Sequence, residues 1–256
     1  MVTLAQNDAS VSEFVFGREK ELEELRRRLS TRESFVLHGP SGAGKTFLLH
    51  QVLRTLPNAL YCPDSPAAQS VFQSLATELV SARNRRARHS LHNGRAVNNK
   101  SAIALRGIVL EALREGDYWV VLDHLQAPAA ALSADVRDIM FYGNTRVLAV
   151  ARSAHMEDLG FLRRIFVLRS ERMPLPNFGR SEARQFAEER AQLAGLLAWN
   201  LSDFLDRIVD LSNGPPGAIV TMIKMALLPR YRIQGHIKIS PLYIDSRLAW
   251  HAANAL

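Results

Sequence analysis

Residues 39 to 46 read Gly-Pro-Ser-Gly-Ala-Gly-Lys-Thr, between the apolar run SFVLHG (residues 34–39) and the helical pattern KTFLLHQVLRTL (residues 45–56). The spacing G-x-x-x-x-G-K-[ST] at a strand-to-helix turn is what a phosphate cradle needs. Glycines let the backbone curl so that several N–H groups point at one phosphate, and the N-terminus of the following helix adds its positive end. Lys45 is expected to reach the β- and γ-phosphates of a nucleoside triphosphate, and Thr46 to ligate Mg²⁺. Gly39, Pro40, Ser41, Gly42, Ala43, Gly44, Lys45, Thr46 and Phe47 are therefore the candidate nucleotide-binding residues of this stretch.

A metal held this way needs a second acid for its water shell, and that acid normally ends a buried strand across from the loop. Asp123, closing YWVVLD (residues 118–123), fits; an aspartate that caps a strand end is the alternative. Many ATPases with such a loop place a glutamate or aspartate directly after this aspartate to polarise the attacking water. Here the residue is His124. A neutral imidazole accepts a proton but lacks a fixed negative charge, so His124 is either a water-positioning group or a histidine without a catalytic task. Hydrolysis of ATP to ADP and phosphate is accordingly expected to be slow or absent.

These residues must be held by a scaffold, and its outline is readable. Short apolar runs at residues 34–39, 59–62, 118–124, 146–152 and 164–169 alternate with helical patterns at residues 45–56, 67–82 and 101–116. That alternation predicts an α/β fold with a five-stranded parallel sheet flanked by helices. From about residue 175 the strand signals stop, and residues 181–195 and 201–214 read as helices, the first opened by a Ser181 cap. The segment RNRRARHSLHNGRAVNNK (residues 83–100) is polar, basic and without an obvious element. With 256 residues and 47% hydrophobic content, the chain can bury a full core. No apolar run approaches the roughly 18 residues of a membrane span. The opening MVTLAQNDASVSEF is unlike a secretory signal, and the single cysteine, Cys62, cannot form an internal disulfide, so the expected address is the cytoplasm.

The combination resembles the AAA+-related ATPases of the STAND type, similar to the NB-ARC and archaeal or bacterial ATPase-domain groups, with kinship to origin-recognition ATPases. The resemblance runs from about residue 14 to residue 228. FVFGREKELEELRRRL (residues 14–29) resembles the opening segment of these proteins, which implies that Phe16, Gly17 and Arg18 flank the adenine. RVLAVARS (residues 146–153) resembles the strand whose terminal polar residue senses the γ-phosphate, a place that Arg152 occupies; a solvated strand-end arginine is the other reading. LSNGPPGAIVTMIKMA (residues 211–226) resembles the Gly-x-Pro element of a helical lid, with Gly214 and Pro216 matching and Pro216 near the adenine. Two departures stand out: His124 replaces an acid, and only residues 229–256 follow the lid, where STAND proteins usually continue into a winged helix.

The expected organisation is a nucleotide-binding core over residues 1–174, a helical lid over 175–228 and a tail over 229–256 in which IKISPLYI suggests a hairpin or strand remnant. ATP or ADP with Mg²⁺ is the implied cofactor set, and Lys45, Asp123, His124 and Arg152 are the candidate catalytic residues. The formal net charge of +7 and the basic segment leave duplex DNA open as a partner beside a protein partner or a second copy of the chain, with Arg163 or Arg164 as a finger into a neighbouring site. Three functions follow: a nucleotide-dependent molecular switch, a DNA-associated ATPase, or an interaction module stabilised by a nucleotide it does not hydrolyse.

Overall fold

The computed structural model describes residues 17–56, 58–63, 68–125, 128 and 130–254. The elements are α1 (Glu19–Thr31), β1 (Phe35–His38), α2 (Lys45–Leu53), β2 (Ala59–Cys62), α3 (Ala68–Ser81), α4 (Arg85–Ser90), α5 (Ala102–Arg114), β3 (Trp119–Leu125), α6 (Ala130–Phe141), β4 (Arg146–Ala151), α7 (Met156–Leu159) and β5 (Arg172–Pro174). After these come α8 (Arg180–Leu193), α9 (Leu201–Ser212), α10 (Pro216–Ala226), β6 (Arg232–Ile233), β7 (His236–Ile237) and α11 (Ile239–Asn254).

β1 to β5 form one parallel sheet in the order β2-β3-β4-β1-β5. Its central strands are apolar at successive positions because both faces are covered by helices. Val120 and Leu122 of β3 pack with α3, α5 and α6 on one face, while Trp119 and Val121 pack with α1 and α2 on the other. Side chains alternate along a strand, so Asp123 falls on the second face, toward α2 and the glycine-rich loop that precedes it.

The fifth strand is not at residues 164–169. Of Phe166, Val167 and Leu168, only Phe166 is buried, and Gly160–Arg164 forms a 3₁₀ turn, so the run has no face to lay on the sheet. Residues 172–174 pair with Val36, Leu37 and His38 instead, and Pro174, which cannot donate, is tolerated on this edge. Arg172 ties the displaced run to the edge by donating to the Phe166 carbonyl at 2.8 and 3.1 Å.

Residues 83–100 are ordered. α4 is capped by Asn84, whose side chain accepts from the Ala87 N–H at 2.9 Å and donates to the Ala112 carbonyl at 3.0 Å and to the Tyr118 hydroxyl at 3.1 Å. Ala87, Leu91 and Val97 enter the core beneath it. Sparse apolar residues at i, i+4 and i+10 sufficed to anchor a segment that composition alone marks as loop.

The C-terminal helices bury one continuous cluster that includes Phe186, Phe204, Ile208, Ile219 and Met222. Tyr231, Ile237 and Leu242 belong to the same cluster. The hairpin here is β6–β7, and most of IKISPLYI begins α11, with Pro241 in the first turn where a missing N–H costs nothing. The first helix of this part is capped by Glu182, whose carboxylate accepts the Gly179 N–H at 3.0 Å; Ser181 lies inside the first turn.

Asn84 supplies a cap and two buried hydrogen bonds, so Asn84→Ala is expected to lower unfolding stability by about 2 kcal/mol. Urea denaturation of the full chain reads this as a lower midpoint at unchanged slope; an unshifted midpoint would show that α4 is held by its apolar residues alone.

Candidate nucleotide site

A cleft of about 850 Å³ opens between the loop at residues 41–47, the ends of β3 and β4, and the helices α8 and α10. Ser41, Gly42, Ala43, Gly44, Lys45, Thr46 and Phe47 line it, with Asp123, His124 and Arg152 on the sheet side and Arg18, Phe178, Phe186, Arg190, Pro216 and Lys224 on the helical side. Gly39 and Pro40 lie under the loop, and their carbonyls accept the Lys45 ammonium at 2.6 and 2.9 Å. Gly17 does not line the cleft but lies against the ring of Phe178, which does. Phe16 lies outside the described residues. Arg163 and Arg164 are exposed on the 3₁₀ turn Gly160–Arg164.

The loop is built to receive an anion. At Gly44, φ is +97° and a Cβ would meet nothing within 4 Å, so the backbone takes a conformation that glycine adopts readily, in front of open space. Burial pushes the Lys45 ammonium down to about 8; Asp123 and Asp158 oppose that push and Arg152 adds to it. A desolvated lysine beside an arginine is a pair of cations that a phosphate chain would satisfy. The residues present therefore fit a triphosphate.

Asp123 is 1% exposed and accepts three hydrogen bonds. Its Oδ2 accepts from Thr46 Oγ1 at 3.1 Å and from the Tyr61 hydroxyl at 2.9 Å, and its Oδ1 accepts from the His124 N–H at 2.8 Å. Burial, with Asp123 next to it, holds the Tyr61 phenol well above its ordinary range, so it remains a donor. His124 lies in a bulge: Leu122 pairs with Ala149 and Leu125 with Ala151, so Asp123 and His124 together face the single residue Val150. The bulge puts His124 at φ +55°, an uncommon conformation for a side-chain-bearing residue. Its ring stands mostly in solvent, with Nε2 at 3.6 Å from Asp123 Oδ2.

Arg18, 5% exposed, joins three parts of the molecule. It donates to the Ala43 carbonyl of the loop at 3.3 Å and to the Pro176 carbonyl at 2.5 Å, pairs with Glu21 at 2.9 Å, and lies 4.3 Å from the Phe178 ring centroid. Opposite, the Gly217 N–H at the start of α10 donates to the Gly42 carbonyl at 2.9 Å.

The AAA ATPase domain family matches residues 15–216. The chain belongs to this family. No curated protein matches it by sequence. Among solved structures it is similar to the Walker-type ATPase PABY2304 of Pyrococcus abyssi, at a TM-score of 0.63 and 14% identity, covering 96% of this chain and 75% of that one. It is similar also to the Orc1 protein of Aeropyrum pernix, solved in complex with DNA, at a TM-score of 0.64 and 17% identity, covering 93% of this chain and 66% of that one. A third similarity is to Cdc6p of Pyrobaculum aerophilum, at a TM-score of 0.61 and 16% identity, covering 86% and 63%. At these identities the likeness is one of fold.

For an AAA ATPase domain, the loop and Asp123 are where sequence reasoning put them, and the sheet brings them together. Sequence reasoning missed Tyr61, Phe178, Phe186, Arg190, Gly217 and Lys224. Tyr61 carried a faint signal, lying one residue before the end of a strand run next to the Asp123 strand; Phe178 lies in the connection between β5 and α8, and the others sit on helices whose faces the periodicity does not orient toward the cleft. Among the described residues, no group of three or more His, Cys, Asp or Glu side chains could hold a metal unaided, and no helix is long and apolar enough to cross a membrane.

Lys45→Ala is expected to reduce ATP affinity by about two orders of magnitude or more, a desolvated cation on phosphate being worth several kcal/mol. Isothermal titration of ATP into both chains measures it, and equal affinities would remove the loop from the phosphate site.

Proposed function

We propose that this AAA ATPase domain is an ATP-dependent molecular switch with slow hydrolysis. The observation that carries the proposal is the hydrogen bond from the Gly217 N–H to the Gly42 carbonyl at 2.9 Å. A Cβ at Gly217 would lie 3.2 Å from the Gly42 Cα, so the two backbones are in direct contact. The loop that would wrap the phosphates thus touches the helix of a lid, and any nucleotide that rearranges Gly42 changes what α10 rests on. A ligand shifts such an equilibrium only by binding the two arrangements differently, and phosphates reaching Arg152 or Lys45 in one lid position supply that difference.

In this reading Lys45 holds the β- and γ-phosphates, Arg152 meets the γ-phosphate, Pro216 and Gly17 flank the adenine, and Thr46 and Asp123 would hold Mg²⁺, which when bound supplies Lewis-acid stabilisation of phosphate charge. His124 offers the attacking water a weak and solvent-exposed acceptor, which supports slow turnover. The readout is a change in the surface of α8, α10 and α11 offered to a protein partner or a second copy, to which Arg163 or Arg164 could contribute a charge.

Hydrogen exchange over residues 214–226 tests this. Protection is expected to differ between the nucleotide-free, ADP and ATP states of the full chain, and His124→Glu is expected to raise turnover at least about tenfold, within the range of a positioned general base. Identical exchange in all three states would sink the switch.

A second reading, a DNA-associated ATPase, is favoured by α4. This helix carries Arg85, Arg88 and His89 on an exposed surface, with Arg83 and Arg95 exposed on the turns that flank it, whereas Arg86 is neutralised by Glu111 at 2.7 Å and Glu115 at 2.5 Å. The Aeropyrum pernix Orc1 of similar fold was solved in complex with DNA. Arg85→Glu combined with Arg88→Glu should weaken duplex DNA binding about tenfold or more at low salt and flatten its salt slope by about two, one per phosphate contact. Absence of DNA binding by the unaltered chain at low salt excludes this reading.

A further inference from the structure

Three donors surround the Asp123 carboxylate, and one of them belongs to no motif. β2 and β3 pair with Tyr61 opposite Val121, so Asp123 is the diagonal neighbour two residues on, upon the same face. Diagonal neighbours are ~7–8 Å apart at the backbone, within the span of a phenol and too far for a small side chain. The Tyr61 hydroxyl closes that gap and donates to Oδ2 at 2.9 Å. Its ring is seated against the His50 ring, 5.7 Å away between centroids and tilted by 52°. His50 lies four residues after Thr46 on α2, hence on the same side of that helix, so α2 both places the Thr46 hydroxyl on Oδ2 and backs the ring that brings the second hydroxyl there.

An ionised carboxylate offers about four acceptor positions. Thr46, Tyr61 and the His124 N–H take three of them, which leaves one for a ligand in the cleft. We propose that Tyr61 is a positioning residue: it fixes the Asp123 carboxylate so that its remaining acceptor position faces the divalent cation of a bound nucleotide, and thereby sets the cation affinity of the site. The proposal rests on the reading of the cleft as a Mg²⁺-nucleotide site. Without the phenol, Oδ2 is held from α2 alone, and only the Thr46 hydroxyl and the His124 N–H are left to set the carboxylate's rotation about its χ2 bond. Outer-shell partners of this kind typically change metal affinity by about 10- to 100-fold.

The test compares the full wild-type chain with Tyr61→Phe, which keeps the ring against His50 and removes only the donor. Binding of a fluorescently labelled ATP is measured in EDTA and then during titration with Mg²⁺. The expected result is an Mg²⁺ midpoint raised about tenfold or more, with EDTA affinity within about twofold of wild type. In an Asp123→Asn background the Phe substitution should produce no further shift, because Tyr61 acts through that carboxylate. An unchanged Mg²⁺ midpoint, equal losses with and without Mg²⁺, or an undiminished shift in the Asp123→Asn background would each overturn the proposal. A wild-type chain that binds labelled ATP in neither condition overturns the reading of the cleft, and this inference with it; binding in EDTA with an unmoved midpoint overturns the inference alone.

Discussion

A carboxylate that is 1% exposed must be paid for in hydrogen bonds, and the satisfaction of Asp123 organises the centre of this molecule. Its partners arrive from three directions: Thr46 from the first turn of α2, Tyr61 from β2 and the His124 N–H from β3 itself. Each constrains a different element. The helix that follows the glycine-rich loop is pinned by its second residue, the neighbouring strand is held in register by a phenol that reaches only from position 61, and the bulge in β3 turns a backbone N–H onto the side chain before it. The first turn of α2, the sheet and Asp123 are thus one hydrogen-bonded unit.

The C-terminal helices join that unit through few, close contacts. Arg18 is buried with its charge spread over the Ala43 and Pro176 carbonyls, the Glu21 carboxylate and the Phe178 ring, so it spans the loop, the connection after β5 and the first residues of the helical part. Gly217 adds a second bond to the loop at Gly42. Between these two points the cleft is lined by Phe186, Val220 and Ile223, an apolar wall suited to a flat base, while Lys45 and Arg152 supply cations at the other end. The helical side also carries Arg190 and Lys224, so both apolar groups and cations line that part of the cleft.

Much of this was legible from the chain because local rules decided it. The loop is a contiguous motif, and Asp123 ends the longest apolar strand run, so both are fixed by spacing within a few residues. The errors fall where a decision was tertiary. Residues 164–169 have strand composition, yet Val167 and Leu168 find no partner face, and the shorter Arg172–Pro174 takes the sheet edge because it can pair with β1. Residues 83–100 look like a solvated loop because eight of their eighteen residues are Arg, Lys or His at exposed positions; three apolar side chains and the capping Asn84 decide otherwise. Tyr61 was barely legible for a related reason: its bond to Asp123 depends on which residue lies diagonally across a strand pair, and no single-strand pattern contains that register.

His124 shows how backbone and chemistry act together. An imidazole at position 124 carries no fixed negative charge. The bulge then aims the ring outward at φ +55°, with its Nε2 at 3.6 Å from Asp123 and most of its surface in solvent. A weak base that is also loosely placed loses twice, because general-base catalysis needs both a suitable pKa and a near-attack position. The same backbone conformation delivers the His124 N–H to Asp123, so the feature that exposes the side chain is also one that holds the Asp123 carboxylate in place. Exposure of the His124 ring and the anchoring of the Asp123 carboxylate therefore share a single structural cause at this bulge.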